Sequence, residues 1–247
     1  MGKLTCYGAD MFSTLPIKEI TLTPPPGAHT DVWPYNVPSV RFLAKHDLQL
    51  SQVTVIVGEN GAGKSVLIES IAEAFGFPLG GGTTWEQRGS VEGASAFGEY
   101  LSLARGISRG GGGLFFRAET VYGLVEYLDG VGSKRAQKLL KRSHGESALE
   151  LMSQCVGRGG LWIFDEPESG LSFSGQMKLL ALIQSHLDDG GQVILCTHSP
   201  LLMSLPEADL LEVGEWGIRG VGWEDLETVN HWRSFLQNPT RYLRHLR

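Results

Sequence analysis

The sequence predicts an α/β fold built on a mixed, largely parallel central sheet. Three apolar runs of strand length support it, at residues 53–57, 161–164 and 193–196. A helical pattern of apolar residues follows the first run after a glycine-rich turn, and another, at residues 175–187, connects the second run to the third. Runs that are apolar throughout are typical of parallel strands buried on both faces, and the helix between two of them is then the crossover.

The flanking segments predict how this sheet is completed. Prolines interrupt the short apolar pieces of the first fifty residues, which favours an N-terminal antiparallel β portion. Glycine-punctuated loops and then a mostly helical stretch at 120–142 predict a helical subdomain inserted at about residues 83–147. Apolar residues spaced through 223–247, with a break at Asn238 and Pro239, predict two packing helices. We interpret residues 1–247 as one domain, since the chain is 42% hydrophobic.

Composition restricts the class of protein. A formal net charge of −6 gives no overall basic footprint for nucleic acid. Cys6, Cys155 and Cys196 lack the spacing of a zinc site, so we expect reduced thiols. The N-terminus has no apolar leader, and no stretch approaches the roughly 18 apolar residues that a membrane span needs. We therefore expect a cytoplasmic protein that does not insert into a membrane.

Residues 58–65 read GENGAGKS and match the P-loop pattern GxxxxGK[ST], between a predicted strand and a predicted helix. The glycines let backbone N–H groups face a phosphate chain at a helix N-terminus. We predict that Lys64 reaches the β- and γ-phosphates and that Ser65 binds Mg²⁺. The residues predicted to contact ATP are Asn60, Gly61, Ala62, Gly63, Lys64, Ser65 and Val66. ATP and Mg²⁺ are thus the predicted cofactors of a P-loop NTPase fold.

The second apolar run ends in two carboxylates, Asp165 and Glu166. An isolated strand end of this kind is often only solvated. Beside a P-loop it is typical of the Walker B motif, in which Asp165 positions Mg²⁺ and Glu166 activates the attacking water as general base.

Three further segments make a family resemblance specific. FDEPESGLS at 164–172 resembles the Walker B motif and D-loop of ABC-type ATPases, SHGES at 143–147 their signature motif, and THSP at 197–200 their switch-histidine segment. All occur in the family's order after the P-loop. The chain is most similar to small bacterial AAA, RecF and SMC-like ATPases, but the segment between Ser65 and Ser143 is too short for coiled-coil arms.

This resemblance implies an ATP-dependent, head-to-tail homodimer that hydrolyses ATP. Ser143, Gly145 and Glu146 would bind the γ-phosphate of the ATP held by the partner protomer, although a plain helix N-cap is the alternative reading of this segment. His198 would contact the γ-phosphate and the attacking water, where an isolated histidine would more often be structural. The catalytic residues implied are Lys64, Glu166 and His198.

Some positions depart from the family pattern. Family members carry a metal-contacting glutamine at a strand end. In this chain Glu119 occupies that place, and Arg117 is the alternative. For both residues a structural salt bridge is an equally open interpretation. Val66 replaces the usual threonine, so one hydroxyl contact to the α-phosphate is missing. Trp33 and Tyr35 are candidates for stacking on adenine, but core packing is the favoured interpretation of both.

The sequence leaves the target of the ATP cycle open. Resemblance to the RecF and SMC group implies nucleic-acid repair or phage defence, and the alternative is an ATP-gated module that controls a partner protein. A transporter motor subunit is a weaker alternative. The basic run at 134–142 is either a solvated helix face or a patch for DNA or a partner's phosphates.

Overall fold

The fold is taken from a computed structural model, which describes residues 14–29, 31–78, 81–83, 97–107, 112–117, 144–156 and 159–244. The strands of this part of the chain are β1 (Glu19–Leu22), β2 (Leu48–Gln49), β3 (Val53–Gly58), β4 (Gly82–Thr83), β5 (Leu101–Ala104), β6 (Gly113–Arg117), β7 (Leu161–Asp165), β8 (Gln192–Cys196), β9 (Asp209–Gly214) and β10 (Gly217–Gly220). The α-helices are α1 (Pro38–Leu43), α2 (Lys64–Phe75), α3 (His144–Ser153), α4 (Phe173–Asp188), α5 (Glu227–Gln237) and α6 (Pro239–Leu243).

The central sheet has seven strands in the order β10-β9-β3-β8-β7-β6-β4. Its five inner strands are parallel, and β10 and β4 pair antiparallel at the two edges. Helix α4 connects β7 to β8, which confirms the predicted crossover. Because the inner strands are parallel, their carboxyl ends share one edge of the sheet, where α/β proteins bind their ligands.

A second, antiparallel sheet has the order β2-β1-β5. It confirms the predicted N-terminal antiparallel portion. The buried side chain of Gln192 joins this sheet to the central one, because it accepts a hydrogen bond from Ile17 N at 2.8 Å and donates to Ile17 O at 2.7 Å and to Ser51 O at 2.9 Å.

The structure describes two strands within the segment predicted to contain the helical insertion. Within 83–147, β5 pairs with β1 and β6 pairs with β7, so both strands belong to the sheets. β6 agrees with the strand end predicted near Glu119, and β5 completes a hydrogen-bonding edge that β1 would otherwise leave open. The helical stretch predicted at 120–142 lies outside the described residues, so the extent of the subdomain stays a prediction.

Two hydrophobic clusters cover the faces of the central sheet. The first packs α3, α4 and the start of α5 on one face, with Trp162, Phe164, Leu179, Ile183 and Val229 among its members. The second packs α1, α2 and the antiparallel sheet on the other face, with Ile20, Ile56, Leu67, Ile71 and Phe115 among its members. This double burial is why the strands read as continuous apolar runs.

The C-terminal segment forms two helices, as predicted. Asn238 separates α5 from α6, and its side chain caps α6 by accepting a hydrogen bond from Arg241 N. Leu226 and Val229 anchor this segment in the core, whereas Trp232 and Leu236 are largely exposed. Cys155 and Cys196 are free thiols, as expected, and Cys6 lies outside the described residues.

Among the helices that the structure describes, none combines the length and the apolar character needed to cross a membrane.

Candidate active site

The P-loop connects β3 to α2, as the sequence predicts. Gly63 precedes the first residue of α2 with a φ of 93°. A Cβ atom at this position would lie 2.2 Å from Val37 Cγ1, just before α1. Any residue other than glycine would therefore have to displace Val37. The turn directs the N-terminus of α2, with its free N–H groups, toward the carboxyl edge of the sheet.

Some P-loop side chains face the predicted phosphate site, and others pack into the hydrophobic core. Lys64 is 4% exposed and donates from Nζ to the Glu59 carbonyl oxygen at 2.8 Å. This bond holds the ammonium group across the loop, where a phosphate would replace the carbonyl as its partner. Ala62 and Val66 instead pack against the second hydrophobic cluster. Their predicted contact with ATP would therefore come from the backbone.

Two oxygen ligands meet beside the P-loop. Ser65 Oγ donates to Asp165 Oδ1 at 3.4 Å, which brings the P-loop helix and the end of β7 together. Burial raises the pKa of Asp165 to about 6, against the lowering effect of the Arg117 cation, and the Glu166 and Glu69 carboxylates raise it further. Because burial disfavours the charged form, a cation bound beside this carboxylate would stabilise it.

The residues present fit Mg²⁺. This ion prefers oxygen ligands and commonly keeps several waters and substrate phosphates, so one or two protein oxygens suffice. Ser65 and Asp165 supply such oxygens next to the loop that would hold the phosphates. Over the described part of the chain, no group of three or more histidine, cysteine or acidic side chains is arranged to hold a metal by itself.

Glu166 and His198 face each other at the same edge. Their Oε1 and Nε2 atoms are 3.4 Å apart, and both side chains are partly exposed. Glu166 has a φ of 48°, a left-handed conformation, while its N–H donates to the Cys196 carbonyl at 2.9 Å. A base and a histidine in this arrangement can hold one water molecule between them.

The switch segment after β8 is held by side chains from the D-loop and α4. Glu168 Oε1 accepts a hydrogen bond from His198 N at 2.6 Å. Ser199 Oγ donates to Gln176 Oε1 on α4 at 2.6 Å. The backbone that carries His198 is therefore held by the D-loop and α4, which follow the Walker B strand in the sequence.

The described part of the signature motif begins α3. Gly145 is buried against the D-loop, where an added Cβ would lie 2.7 Å from Leu171 Cδ2 and 2.8 Å from Gly170 O. Glu146 is exposed in the first turn of the helix. Ser143 lies outside the described residues, as do Glu119 and the basic run at 134–142. Their predicted roles stay predictions.

Arg117, the alternative to Glu119, lies next to Asp165, the predicted metal ligand. Its Nη2 is 2.7 Å from Glu69 Oε1 and its Nε is 3.7 Å from Asp165 Oδ2. Arg117 therefore forms salt bridges, which was one of the two roles left open for it by the sequence. One of its partners is the predicted metal ligand.

A cleft of about 830 Å³ opens beside the P-loop. It is lined by residues 58–62, by Arg41 and by the turn between β9 and β10, which carries the half-exposed Trp216. Sequence reasoning missed Trp216, although a Gly-Glu-Trp-Gly turn between two short strands is a signal for an exposed aromatic residue. Core packing was the wrong expectation for Trp33, which is 62% exposed. Tyr35 does pack against the second cluster.

The chain is similar in sequence to known ATP-binding proteins. A family profile described as "AAA domain, putative AbiEii toxin, Type IV TA system" matches residues 132–204. The cytochrome c biogenesis ATP-binding export protein CcmA of Rhodopseudomonas palustris (strain BisB5) is 32% identical over 161 residues, which cover 61% of this chain and 80% of the relative. The protein of the same name from Novosphingobium aromaticivorans is 27% identical over 167 residues, covering 64% and 80%.

A solved structure described as "an inward-facing conformation of a putative metal-chelate type ABC transporter" shares 17% identity with a TM-score of 0.42, covering 75% of this chain and 81% of that one.

Proposed function

This chain belongs to the ABC-type P-loop ATPases, and we propose that it hydrolyses ATP as a head-to-tail dimer. Two nucleotides would be held between the P-loop of one protomer and the start of α3 of the other. The observation that carries the proposal is the convergence of Lys64, Ser65, Asp165, Glu166 and His198 on one edge of the central sheet.

Each of these residues has a task that its position supports. Lys64 and the P-loop N–H groups would bind the phosphates, and Ser65 and Asp165 would hold Mg²⁺, which when bound offsets charge on the β- and γ-phosphates. Glu166 would accept a proton from the attacking water. His198, 3.4 Å from Glu166, would donate a hydrogen bond to the γ-phosphate or orient that water.

The surface next to the D-loop supports the dimer. Phe173 and Met177 lie one turn apart on α4, are 73% and 48% exposed, and directly follow the D-loop. Gly145 packs against the same loop, so the signature helix and these apolar side chains belong to one region of the surface. A second copy placed with its P-loop against α3 would cover them, which removes apolar area from water.

Glu166→Gln tests the assignment of the general base. The amide keeps the size of the side chain but accepts no proton, so we expect kcat to fall by roughly 100-fold or more while ATP binding is retained. The ATP-bound dimer should then accumulate, as measured by light scattering after size exclusion. Glu207→Gln is the control, because Glu207 is exposed before β9, at the opposite edge of the sheet. Wild-type turnover in Glu166→Gln would remove Glu166 from this role.

The dimer itself is tested by the ATPase rate at increasing protein concentration. If the site is complete only in the dimer, the rate per protomer should rise with concentration and then level off. A constant rate per protomer from nanomolar to micromolar protein, with no dimer in ATP, would rule out the shared site.

For the target of the cycle, we propose a partner protein that the ATP-bound dimer engages. The family that matches residues 132–204 is described as a "putative AbiEii toxin, Type IV TA system", which supports a partner other than a transporter. The names of the CcmA relatives, which are export proteins, support the motor subunit of a transporter as the second candidate. They favour that candidate over nucleic-acid repair and over phage defence.

Two measurements separate these candidates. ATPase stimulation by duplex DNA that weakens with salt and is lost in a Lys138→Glu, Lys141→Glu variant would favour nucleic acid. ATP-dependent association with an integral membrane protein would favour export. ATP-dependent association with a water-soluble effector protein, without either response, would favour the module that controls a partner.

A further inference from the structure

Arg117 connects the P-loop helix to the Walker B strand. It is the last residue of β6 and lies opposite Asp165 in the parallel register between β6 and β7. Its guanidinium contacts Glu69 of α2 at 2.7 Å and Asp165 at 3.7 Å. The side chains of Arg117, Glu69 and Asp165 are only 20%, 28% and 9% exposed, so water screens these charges less than it would on the surface.

The two neighbours of Asp165 contact different oxygens of its carboxylate. Ser65 donates to Oδ1, whereas Arg117 lies beside Oδ2. The carboxylate is therefore held from both sides, and Oδ1 is the oxygen that faces the P-loop. Groups that orient a ligand in this way affect metal affinity even though they do not touch the metal.

Glu69 determines how strongly Arg117 acts on Asp165. Glu69 lies one helical turn after Ser65 on α2, so both side chains project from the same face toward the strand ends. The shorter contact of Arg117 is with Glu69, and this leaves the guanidinium 1 Å farther from Asp165 than from Glu69 (3.7 Å against 2.7 Å). A bidentate contact with Asp165 would place a fixed cation where a divalent ion needs the carboxylate.

We propose that Arg117 is a positioning residue for Asp165, and that Glu69 restrains Arg117 so that its cation does not compete with Mg²⁺ for that carboxylate. The inference rests on the proposed function only for the assignment of Ser65 and Asp165 to the metal. It assigns a role to Glu69, a residue that no sequence motif marks, and it makes the glutamate and the arginine a functional pair.

The test measures the Mg²⁺ concentration that gives half-maximal binding of a fluorescent ATP analogue, in parallel with binding in EDTA. Arg117→Ala should raise this concentration roughly 10-fold, because Asp165 loses its orientation, as is typical when a group that supports a metal ligand is removed. Glu69→Gln should also raise it, because the released Arg117 pairs fully with Asp165. Binding in EDTA should change less than 2-fold in both.

The double variant gives the sharpest outcome. If Glu69 acts only through Arg117, the variant carrying both Glu69→Gln and Arg117→Ala should need no more Mg²⁺ than Arg117→Ala alone. Arg117→Lys keeps the charge but cannot contact both carboxylates in the same geometry, so it too should need more Mg²⁺ and serves if Arg117→Ala folds poorly. Additive effects of the two single changes would overturn the pairing.

Arg105→Ala is the matched control for the stability of α2. Arg105 donates to the carbonyl oxygens of Ala74 and Phe75 at the other end of this helix, away from Ser65 and Asp165. It should lower the melting temperature without changing the Mg²⁺ requirement. Equal losses of binding with Mg²⁺ and with EDTA in Arg117→Ala would mean that Arg117 only supports the fold.

The outcomes also separate this inference from the proposed function. A wild-type protein that binds nucleotide equally with and without Mg²⁺ would overturn the metal assignment and this inference with it. An ATPase rate per protomer that does not depend on concentration would remove the dimer but leave the prediction for Arg117 and Glu69 as it stands.

Discussion

Glu166 illustrates at the scale of a single residue how backbone geometry orients a reactive side chain. The left-handed φ of 48° costs a residue with a Cβ about 1–2 kcal/mol. The hydrogen bond from its N–H to Cys196 keeps it in this conformation at the end of β7. The side chain of Glu166 is thereby turned from the sheet toward His198, while the preceding Asp165 stays buried next to Ser65. Consecutive carboxylates thus obtain different environments, which suits the different tasks proposed for them.

His186 is predicted to make the stability of the fold depend on pH. Its ring is fully buried and stacks on Trp162 with centroids 3.9 Å apart. Burial lowers the pKa of His186 from 6.5 to about 4, against smaller opposing contributions from the neighbouring backbone of Gly160 and Gln192. The unfolded chain therefore takes up a proton first, so stability present above pH 6.5 should fall by about 3 kcal/mol as the pH drops from 6.5 to 4.

Chemical denaturation at pH 7.5, 6, 5 and 4 measures this loss. His186→Phe keeps an aromatic ring against Trp162 but does not titrate, so its stability should decline less over the same range. His29→Gln is the control, since His29 is exposed. The prediction fails if wild type and His186→Phe lose stability in parallel.

Gly145→Ala is predicted to separate nucleotide binding from dimer formation. The added methyl group would clash with Gly170 and Leu171, and α3 would have to move away from the D-loop. We expect the dissociation constant of the ATP-bound dimer to rise at least 10-fold, with ATP affinity at the P-loop unchanged. Analytical ultracentrifugation of the variant in ATP, combined with nucleotide titration, distinguishes this result from general unfolding. Gly220→Ala is the control, since open space surrounds that glycine.

At the scale of the element, the exposed face of α4 predicts a second effect on the dimer. The helix is capped by Ser172, whose Oγ accepts from Gly175 N at 3.2 Å, and buries Leu179 and Ile183 while Phe173 and Met177 stay outside. Introducing a carboxylate by Met177→Glu should weaken the ATP-bound dimer by roughly 10-fold or more, because the charge would be buried without a partner.

The protomer itself should be unaffected by Met177→Glu, since that side chain contributes little to the core. Melting temperature and ATP affinity of the dilute protein are the readouts for this. Ser185→Glu, exposed at the far end of the same helix, is the control and should dimerise normally. Unchanged dimerisation of Met177→Glu would place the interface elsewhere.

The same scale shows which elements the sequence could predict. β3, β7 and β8 each contain a nearly continuous apolar run because the sheet is covered on both faces, and this pattern alone identified them. The order of motifs then predicted the strand ends that carry Asp165 and His198. Helix α1 was not predicted, because its six residues include a proline and its environment is set by contacts with α2 and β10. β5 was missed because only its pairing with β1, distant in sequence, makes it a strand.

At the scale of the whole molecule, the site depends on contacts that motifs do not encode. Arg117 could be named from the sequence only as an alternative to Glu119, and its pairing with Glu69 follows from the packing of α2 on β6 and β7. Trp216 reaches the cleft only because β9 lies next to β3 in the sheet. Trp33 was assigned to the core because a large aromatic residue is usually buried, but it lies in a loop that leaves it exposed.

The hydrogen bond from His198 N to Glu168 has a consequence for the assembled dimer. Glu168 begins the D-loop. In the proposed arrangement this loop faces the partner protomer, and His198 contacts the nucleotide of its own protomer. One side chain would then link the two binding sites, so occupancy of one would alter the affinity of the other. Such an energetic coupling is reciprocal by thermodynamic necessity, and nucleotide binding should therefore be cooperative with a Hill coefficient different from one.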